Sequence, residues 1–222
     1  MIMQATVRLV LAPLFRLGYR PTIEGRTNVP RTGPVILAAN HISALDSVVI
    51  PLVAPRPVAF LAKAEYFRQR GIKGWFVRSL LTGLAAIPVE RGAARAAADS
   101  LDLALAVLND GMAFGIHPEG TRSRDGRLYR GRTGVAHLAI ASGAPVVPVA
   151  VLGTDRIQPV GSRLPRLGKV TVRFGAPLTF APAPGVSAGA ARRAATDQIM
   201  DAIADLSGQD RAAAYNELSA AA

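Results

Sequence analysis

Short apolar runs bounded by glycine and proline alternate with longer amphipathic runs along most of this chain. This alternation limits the fold more than any other feature, because each short run predicts a β-strand and each longer run predicts an α-helix. Strands that alternate with helices typically form a largely parallel sheet with helices on both faces. We therefore predict an α/β fold. The predicted strands lie near residues 21–25, 34–39, 57–62, 84–89, 112–117, 145–152 and 169–174.

The middle of the chain carries the clearest helix patterns. Residues 93–109 place apolar side chains at the i, i+3, i+4 and i+7 positions of one helix face, and Gly111 ends the pattern. We expect the unit from 84 to 117 to be a right-handed crossover that feeds a parallel pair of strands. A second helix, over 133–142, ends at Gly143 before a strongly apolar strand.

The first twenty residues predict an amphipathic helix ahead of the sheet. Leucine and valine recur at helical spacing, with Arg8, Arg16 and Arg20 interleaved. The arginines argue against a transmembrane span, and their positions within and after the apolar run argue against a signal peptide. Two interpretations stay open, a helix in a membrane interface and a helix covering the domain's own core. We expect a membrane-interface helix over 1–19, an α/β domain over 20–180, and a linker with a C-terminal helical extension packing on the same domain over 181–222.

The charge of the chain is strongly positive. Lysine and arginine number 26 against 15 aspartate and glutamate residues, a formal net charge of +11. This surplus predicts an anionic partner, such as a nucleic acid, an anionic membrane or a phosphorylated small molecule. Aromatic residues make up only 5% of the chain and leave few rings for single-stranded bases to stack on, so we expect no nucleic-acid partner. The absence of cysteine excludes disulfides and thiolate chemistry.

A histidine and an aspartate follow the strand predicted at 34–39. His41 lies where that strand ends, at the edge where open α/β sheets bind ligands. The side chains of His41 and Asp46 meet only if His41 sits in a turn and Asp46 begins the next helix. The carboxylate would then hold the imidazole tautomer while the other ring nitrogen takes a proton from an alcohol. The alternative is a polar turn residue followed by a helix cap.

A second polar segment follows the strand predicted at 112–117. It reads His-Pro-Glu-Gly-Thr-Arg-Ser over residues 117–123, and more arginines crowd the loop behind it. Arginine presents a planar fork of donors that matches phosphate oxygens, so the loop predicts a phosphate site, with a solvated charged loop as the alternative. We expect Arg91, at the end of another predicted strand, at the same rim. The loop arginines are Arg122, Arg124, Arg127, Arg130 and Arg132.

In these segments the chain resembles the glycerophospholipid acyltransferase family, in particular its bacterial 1-acylglycerol-3-phosphate acyltransferases. His41 and Asp46 match the family's Asn-His-x4-Asp motif, and residues 118–123 match its Pro-Glu-Gly-Thr-Arg-Ser motif. Arg91 matches the arginine of an intervening motif, and Val147-Pro148-Val149 matches a later apolar motif. The motifs occur in the family's order over roughly residues 33–150.

Further positions follow or depart from the family pattern. Lys63-Ala64-Glu65 resembles a family Lys-x-Glu segment. His117 stands where an aromatic residue is usual, and Tyr66 stands where leucine is usual. Neither departure touches the predicted His41 and Asp46 pair, but His117 is placed to tune the pocket or to titrate within it.

The resemblance implies an enzyme that moves a fatty acyl group from acyl-CoA or acyl carrier protein to the free hydroxyl of 1-acylglycerol-3-phosphate. The product would be phosphatidic acid, a step of phospholipid biosynthesis. His41 is the implied catalytic base and Asp46 its orienting group, with Arg91 and Arg122 on the acceptor phosphate and no metal or organic cofactor. The implied substrate-binding residues are Lys63, Arg91, Glu119, Gly120, Thr121 and Arg122.

The implied substrates also suggest where the protein works. Each buried methylene of an acyl chain favours an apolar environment by about 0.8 kcal/mol, so a long-chain lysophospholipid resides in the bilayer. We therefore expect a peripheral protein on the cytoplasmic face of the cell membrane, bound to an anionic membrane surface through its basic side chains.

Three other functions stay open. The same chemistry can act on another acceptor, such as glycerol-3-phosphate, a lyso-amino-lipid or a glycolipid. A serine hydrolase would use Ser43 or Ser123 with His41, although the chain has no Gly-x-Ser-x-Gly segment. A non-catalytic module that binds anionic lipid would explain the charge but not the ordered motifs.

Overall fold

The computed structural model describes residues 2–89, 94–159, 161–162, 164–182 and 184–216. All seven predicted strands are present, each within two residues of its predicted limits. The strands are β1 (Thr22–Glu24), β2 (Val35–Ala39), β3 (Val58–Lys63), β4 (Ala86–Val89), β5 (Ala113–Ile116), β6 (Val146–Leu152) and β7 (Thr171–Phe174). The helices are α1 (Ile2–Tyr19), α2 (Asp46–Val53), α3 (Ala64–Arg68), α4 (Gly71–Gly83), α5 (Ala94–Asn109), α6 (Gly134–Ser142), α7 (Thr154–Ile157) and α8 (Ala188–Ser207), with a 3-10 turn at Arg26–Asn28.

The strands form one sheet in the order β1-β7-β6-β2-β5-β3-β4. Five of the six strand pairs are parallel, and only β6 and β7 run antiparallel. The two strands at the centre, β2 and β5, have buried side chains on both faces, as strands covered by helices on both sides require. The predicted α/β fold with a largely parallel sheet is confirmed.

One predicted strand pairing is wrong. Strands β4 and β5, joined by α5, were expected to pair with each other, but β3 lies between them. Pro88 in β4 has no N–H to donate to a ladder and is exposed, which suits the edge position that β4 occupies. The apolar β5 instead pairs with β2 and β3 on its two sides.

Two hydrophobic cores lie on opposite faces of the sheet. Alternate residues of β2 enter different cores, since Leu37 packs with α2 on one face and Ile36 packs with α5, α6 and α8 on the other. The second core contains Ile199, Met200 and Ile203 of α8. The last long helix, which begins at Ala188, therefore packs on the sheet.

Helix α1 has two different faces. Phe15 and Tyr19 stack on each other with ring centroids 5.1 Å apart and pack against the core that contains α2. On the opposite face Leu9, Leu14 and Leu17 are exposed. The helix thus covers part of the core and also presents an apolar surface outward. Within the described part of the chain, none of the helices combines the length and the apolar character needed to cross a membrane.

The carboxyl ends of β2, β3, β5 and β6 share one edge of the sheet because these strands are parallel. His41 follows β2, Lys63 ends β3, His117 follows β5, and Thr154 follows β6 after one glycine. The fold therefore gathers polar residues from four separate parts of the sequence at a single edge, where ligands of open α/β sheets bind.

Candidate active site

His41 and Asp46 meet as their spacing predicts. His41 lies in the turn after β2, Asp46 is the first residue of α2, and His41 Nδ1 is 3.0 Å from Asp46 Oδ2. Only 16% of the His41 side chain is exposed, and the Asp46 side chain is fully buried. Because the Asp46 carboxylate accepts from the backbone N–H groups of Ile42 and Ser43, both at 2.8 Å, it braces the preceding turn rather than capping the helix that follows.

A fourth donor completes the surroundings of Asp46. The Thr154 hydroxyl, at the start of α7, donates to Asp46 Oδ1 at 2.6 Å. Burial raises the pKa of Asp46, and the hydrogen bonds from Thr154, Ser43 and Ile42 oppose that rise. The Ile42 and Ser43 N–H groups donate to Oδ2, and an ionised carboxylate can also accept from a His41 ring protonated at Nδ1.

His117 stacks on His41. The ring centroids are 3.9 Å apart and the planes differ by 9°. His117 Nδ1 lies 3.2 Å from the Ala39 carbonyl oxygen and 3.0 Å from that of Asn40, and Nε2 lies 3.0 Å from Ser47 Oγ. Carbonyl oxygens only accept, so Nδ1 carries the proton. Burial and the neighbouring His41 lower the pKa of His117 to about 3, which leaves the ring neutral and lets Nε2 accept from the Ser47 hydroxyl.

Glu119 is fully buried beneath the same turn. Its Oε1 accepts from the His41 backbone N–H at 3.0 Å, and its Oε2 accepts from the Tyr129 backbone N–H at 2.9 Å. Burial raises the pKa of this carboxyl to about 7, although the two hydrogen bonds favour its ionised form. Both oxygens contact backbone amides, so Glu119 joins the His41 turn to the loop of residues 120–132.

Gly120, Thr121 and Arg122 begin that loop. Gly120 has a φ of +78°, and a Cβ there would lie 2.9 Å from Arg132 Nε, so the turn requires glycine. Thr121 is half-buried and Arg122 is exposed. The Ser123 N–H donates to the His41 carbonyl oxygen at 2.7 Å, which fixes the loop directly against the histidine turn.

Three of the loop arginines have neighbours within the protein. Arg127 forms an ion pair with Asp125 at 2.7 Å. The guanidinium groups of Arg130 and Arg132 lie over the Tyr215 ring, 5.1 and 5.6 Å from its centroid. These three arginine side chains therefore have local partners, and phosphate binding by the loop stays a prediction.

The structure describes Lys63 but not Arg91, the two remaining predicted substrate-binding residues. Lys63 is the half-buried last residue of β3, at the same sheet edge as His41. Arg91 lies outside the described residues, as does Glu90. Contact of Lys63 and Arg91 with a substrate stays a prediction, as does contact of residues 119–122.

A segment that the sequence reasoning missed holds the arginine loop. Residues 208–216, which we call the C-terminal strap, run beside it. Leu128 donates to the Asp210 carbonyl and accepts from the Ala212 N–H, both at 2.9 Å. The Asn216 side chain donates to the Arg122 carbonyl oxygen at 3.0 Å. The strap thereby fixes the backbone of Arg122 itself.

The strap also reaches the histidine turn. Asn40 Nδ2 donates to Gln209 Oε1 at 2.7 Å, and Gln209 Nε2 donates to the Gly126 carbonyl at 2.6 Å. Asn40 in turn exchanges hydrogen bonds with the backbone of Val151 in β6.

Thr154, which the sequence analysis did not single out, had one signal in the sequence, because it is a hydroxyl residue directly after an apolar strand and a glycine. The strap carries no comparable pattern.

A sequence profile of the acyltransferase family matches residues 20–152, which hold both the His41 turn and the 117–123 segment. The chain belongs to the acyltransferase family. The chain is 33% identical over 145 residues to the chloroplast 1-acyl-sn-glycerol-3-phosphate acyltransferase of Arabidopsis thaliana, over 65% of this chain and 39% of that protein. It is 30% identical over 154 residues to the 1-acyl-sn-glycerol-3-phosphate acyltransferase of Borreliella burgdorferi, over 69% of this chain and 58% of that protein.

The fold of this chain also resembles a solved structure. The crystal structure of the 1-acyl-sn-glycerophosphate acyltransferase of Thermotoga maritima superposes with a TM-score of 0.67 at 25% identity, over 91% of this chain and 79% of that one. The chain spans 39% and 58% of the two sequence relatives above. The part matched by the family profile, residues 20–152, contains His41, Asp46 and His117 but ends before Thr154.

Proposed function

We propose that this acyltransferase transfers a fatty acyl group from acyl-CoA or acyl carrier protein to the free hydroxyl of 1-acylglycerol-3-phosphate. The observation that carries the proposal is the His41–Asp46 pair, an imidazole held at 3.0 Å by a buried carboxylate at the carboxyl edge of the sheet. The names of the relatives support the acceptor, since each acts on a 1-acylated glycerophosphate.

The proposed reaction has two steps. In the first, His41 Nε2 takes the proton of the acceptor hydroxyl while its oxygen attacks the thioester carbonyl, and Asp46 stabilises the imidazolium that forms at Nδ1. In the second, the tetrahedral intermediate collapses, the carbon–sulfur bond breaks, and the proton passes from His41 to the leaving thiolate. General-base assistance of this kind contributes roughly 10²–10⁴ in rate. We propose that no metal or organic cofactor takes part, because proton transfer and leaving-group departure need only these groups.

The acceptor phosphate is proposed to bind at Arg122, with Arg91 as a second cation. Arg122 is exposed beside the histidine turn, and two contacts hold its backbone there, the Ser123 N–H to His41 and the Asn216 side chain to its carbonyl. Well-oriented reactants can gain about 7–11 kcal/mol over free encounter, so this positioning is worth more than proton transfer. Glu119 is proposed to act through the two loops that it joins.

Two observations disfavour a serine nucleophile. Ser43 and Ser123 are each only 2% exposed. The Ser43 hydroxyl donates to the Gln158 carbonyl at 3.4 Å and accepts from the Leu45 N–H, and the Ser123 hydroxyl donates to Asp125 at 3.1 Å. Direct transfer to the acceptor hydroxyl avoids the need for either group.

A panel assay tests the reaction and its acceptor. The purified full chain is given a long-chain acyl-CoA or acyl carrier protein with 1-acylglycerol-3-phosphate, glycerol-3-phosphate, a lyso-amino-lipid or a glycolipid, and the products are weighed by mass spectrometry. We expect phosphatidic acid to be the main product. Transfer to a non-phosphorylated acceptor with none to 1-acylglycerol-3-phosphate would contradict the proposed acceptor, and no transfer to any would contradict the chemistry.

We also propose peripheral binding to the cytoplasmic face of the cell membrane. Helix α1 packs beside α4, where Ile72, Trp75 and Phe76 are 88%, 60% and 61% exposed. Exposed basic residues flank these apolar side chains, and each basic residue contributes about 1 kcal/mol when it reaches an anionic surface. The combination of large exposed apolar side chains and cations fits an interface of acyl chains and anionic headgroups. The flanking basic residues are Arg68, Arg70, Lys73 and Arg78.

The chain contains a built-in probe of this membrane surface. Trp75 is its single tryptophan, so its fluorescence reports on α4 alone. We expect a blue shift with anionic vesicles, quenching by brominated acyl chains, and loss of both at high salt, because exposed charges are screened over roughly 8–10 Å. Vesicle binding measured by co-sedimentation without any change in Trp75 fluorescence would exclude α4 from the bound surface.

A further inference from the structure

His117 does more than fill space beside the candidate catalytic pair. We propose that His117 is a positioning residue for His41, holding the imidazole by its ring face and tying together the two ends of the His41–Asp46 turn. The inference rests on the proposed function, because it assigns His117 a part in the same reaction.

The hydrogen bonds of His117 span the turn. Nδ1–H points at the carbonyl oxygens of Ala39 and Asn40, directly before His41, at 3.2 and 3.0 Å. Nε2 accepts from Ser47, directly after Asp46, at 3.0 Å. One rigid ring therefore links the end of β2 to the first turn of α2. Phenylalanine in the same place would keep an aromatic ring but lose the hydrogen bonds of both ring nitrogens.

Stacking restrains a motion that the Asp46 bond leaves open. A single hydrogen bond at Nδ1 allows the His41 ring to tilt about that contact, whereas a parallel ring at 3.9 Å fixes its plane. Phe60 supports His117 with a ring centroid 5.5 Å away. A Cβ on Gly115 would lie 2.0 Å from the Phe60 ring, so glycine in β5 lets Phe60 occupy this position.

The stacked ring also suits the charge that the reaction creates. Asp46 contacts the His41 residue at Nδ1, Glu119 contacts it at the backbone N–H, and His117 contacts it at the ring face. Burial lowers the pKa of His117, so the stacked ring is neutral and His41 becomes an imidazolium without a like charge at its ring face. His117 also covers one face of His41 from water.

Four variants of the full chain separate these contributions. His117→Ala removes the ring and both bonds, His117→Phe restores only the ring, Ser47→Ala removes only the tie to α2, and His137→Ala is the control, a histidine on the distant helix α6. Rates are measured with 1-acylglycerol-3-phosphate and acyl-CoA from pH 5 to pH 9. The imidazole nitrogens are observed in parallel by ¹H–¹⁵N NMR, which needs no turnover.

We expect His117→Ala to lower kcat about 10- to 100-fold with KM for both substrates within about twofold, because small misplacements of a reacting group carry that cost. Phenylalanine should recover most of kcat, and Ser47→Ala should lose only a few-fold. Water admitted beside His41 in His117→Ala better solvates the imidazolium, so the acidic limb of the kcat/KM profile should move to higher pH, whereas in His117→Phe it should stay in place.

Several results would overturn the inference. An unchanged kcat in a folded His117→Ala would do so, as would a loss that phenylalanine does not recover or an acidic limb that does not move. NMR distinguishes this failure from a failure of the proposed function. The native protein should give a neutral His117 protonated at Nδ1, and His117→Ala should broaden the His41 Nδ1–H signal. If neither the native chain nor any variant transfers acyl groups but these NMR changes occur, the proposed function fails and the positioning of His41 stands.

Discussion

Replacing Thr154 by valine tests whether the buried carboxylate depends on a contact outside the sequence motifs. Valine has nearly the shape of threonine, so the change removes the hydroxyl that donates to Asp46 Oδ1 at 2.6 Å and leaves little cavity. Hydrogen bonds to charged groups contribute about 1.5–3 kcal/mol. Because Asp46 is fully buried, water does not replace the lost hydroxyl donor. We therefore expect a loss near the upper end of this range, about 2–3 kcal/mol of unfolding free energy.

The same substitution should change the pH dependence of catalysis. The Thr154 hydrogen bond lowers the pKa of Asp46, which burial has already raised, so its loss raises that pKa further. A smaller fraction of Asp46 is then ionised as the pH falls, and the acidic limb of the kcat/KM profile moves to higher pH. We expect kcat/KM to fall about tenfold at neutral pH, equivalent to about 1.4 kcal/mol, and to fall further at lower pH.

A matched control exists in α8. Thr196 is also fully buried, but its hydroxyl donates to the Arg192 carbonyl of the same helix at 2.7 Å and not to a carboxylate. Thr196→Val should cost only about 0.5–1.5 kcal/mol, the usual contribution of a neutral hydrogen bond, and leave kcat/KM unchanged. Urea unfolding and initial rates compare the two variants. Equal stabilities and equal rates for Thr154→Val and Thr196→Val would refute the role of Thr154.

Two further predictions concern charge and pH. Arg122→Ala should raise KM for 1-acylglycerol-3-phosphate more than KM for the acyl donor, whereas Arg127→Ala, which removes the same charge from an ion pair in the same loop, should change neither by more than about twofold. Because the pKa of His117 is about 3 in the fold against 6.5 when unfolded, the unfolded chain takes up a proton first as the pH falls through 6.5, and stability declines toward pH 3. His117→Phe should lack this part of the decline, which amounts to up to about 1.4 kcal/mol of unfolding free energy per pH unit when measured by urea titration. Identical slopes of stability against pH for the two proteins would contradict a neutral His117.

The sheet and the His41–Asp46 contact follow from local patterns in the sequence. The strands were found because their apolar runs are bounded by glycine and proline, and the His41–Asp46 contact because five positions allow it only in a turn followed by a helix. The pairing of β4 with β3 was not predicted, since connectivity along the chain does not fix which strands become neighbours.

The missed contacts join distant parts of the chain. Thr154 is 108 residues from Asp46, and Gln209 of the strap is 169 residues from Asn40. Neither contact leaves a spacing that can be read along the sequence. The position of Glu119 shows a related difficulty, because its motif indicates a polar role but not that its oxygens accept from the backbone of His41 and Tyr129.

The central claim is that His41 is the base of acyl transfer, and one measurement tests it most directly. Phosphatidic acid formed from 1-acylglycerol-3-phosphate and acyl-CoA is quantified for the native chain, for His41→Ala and for His137→Ala at equal concentration, with folding verified by circular dichroism. His137 lies on α6, away from the turn, so its replacement controls for the loss of an imidazole. The account predicts native turnover for His137→Ala and none above background for a folded His41→Ala. Near-native turnover by His41→Ala would contradict it.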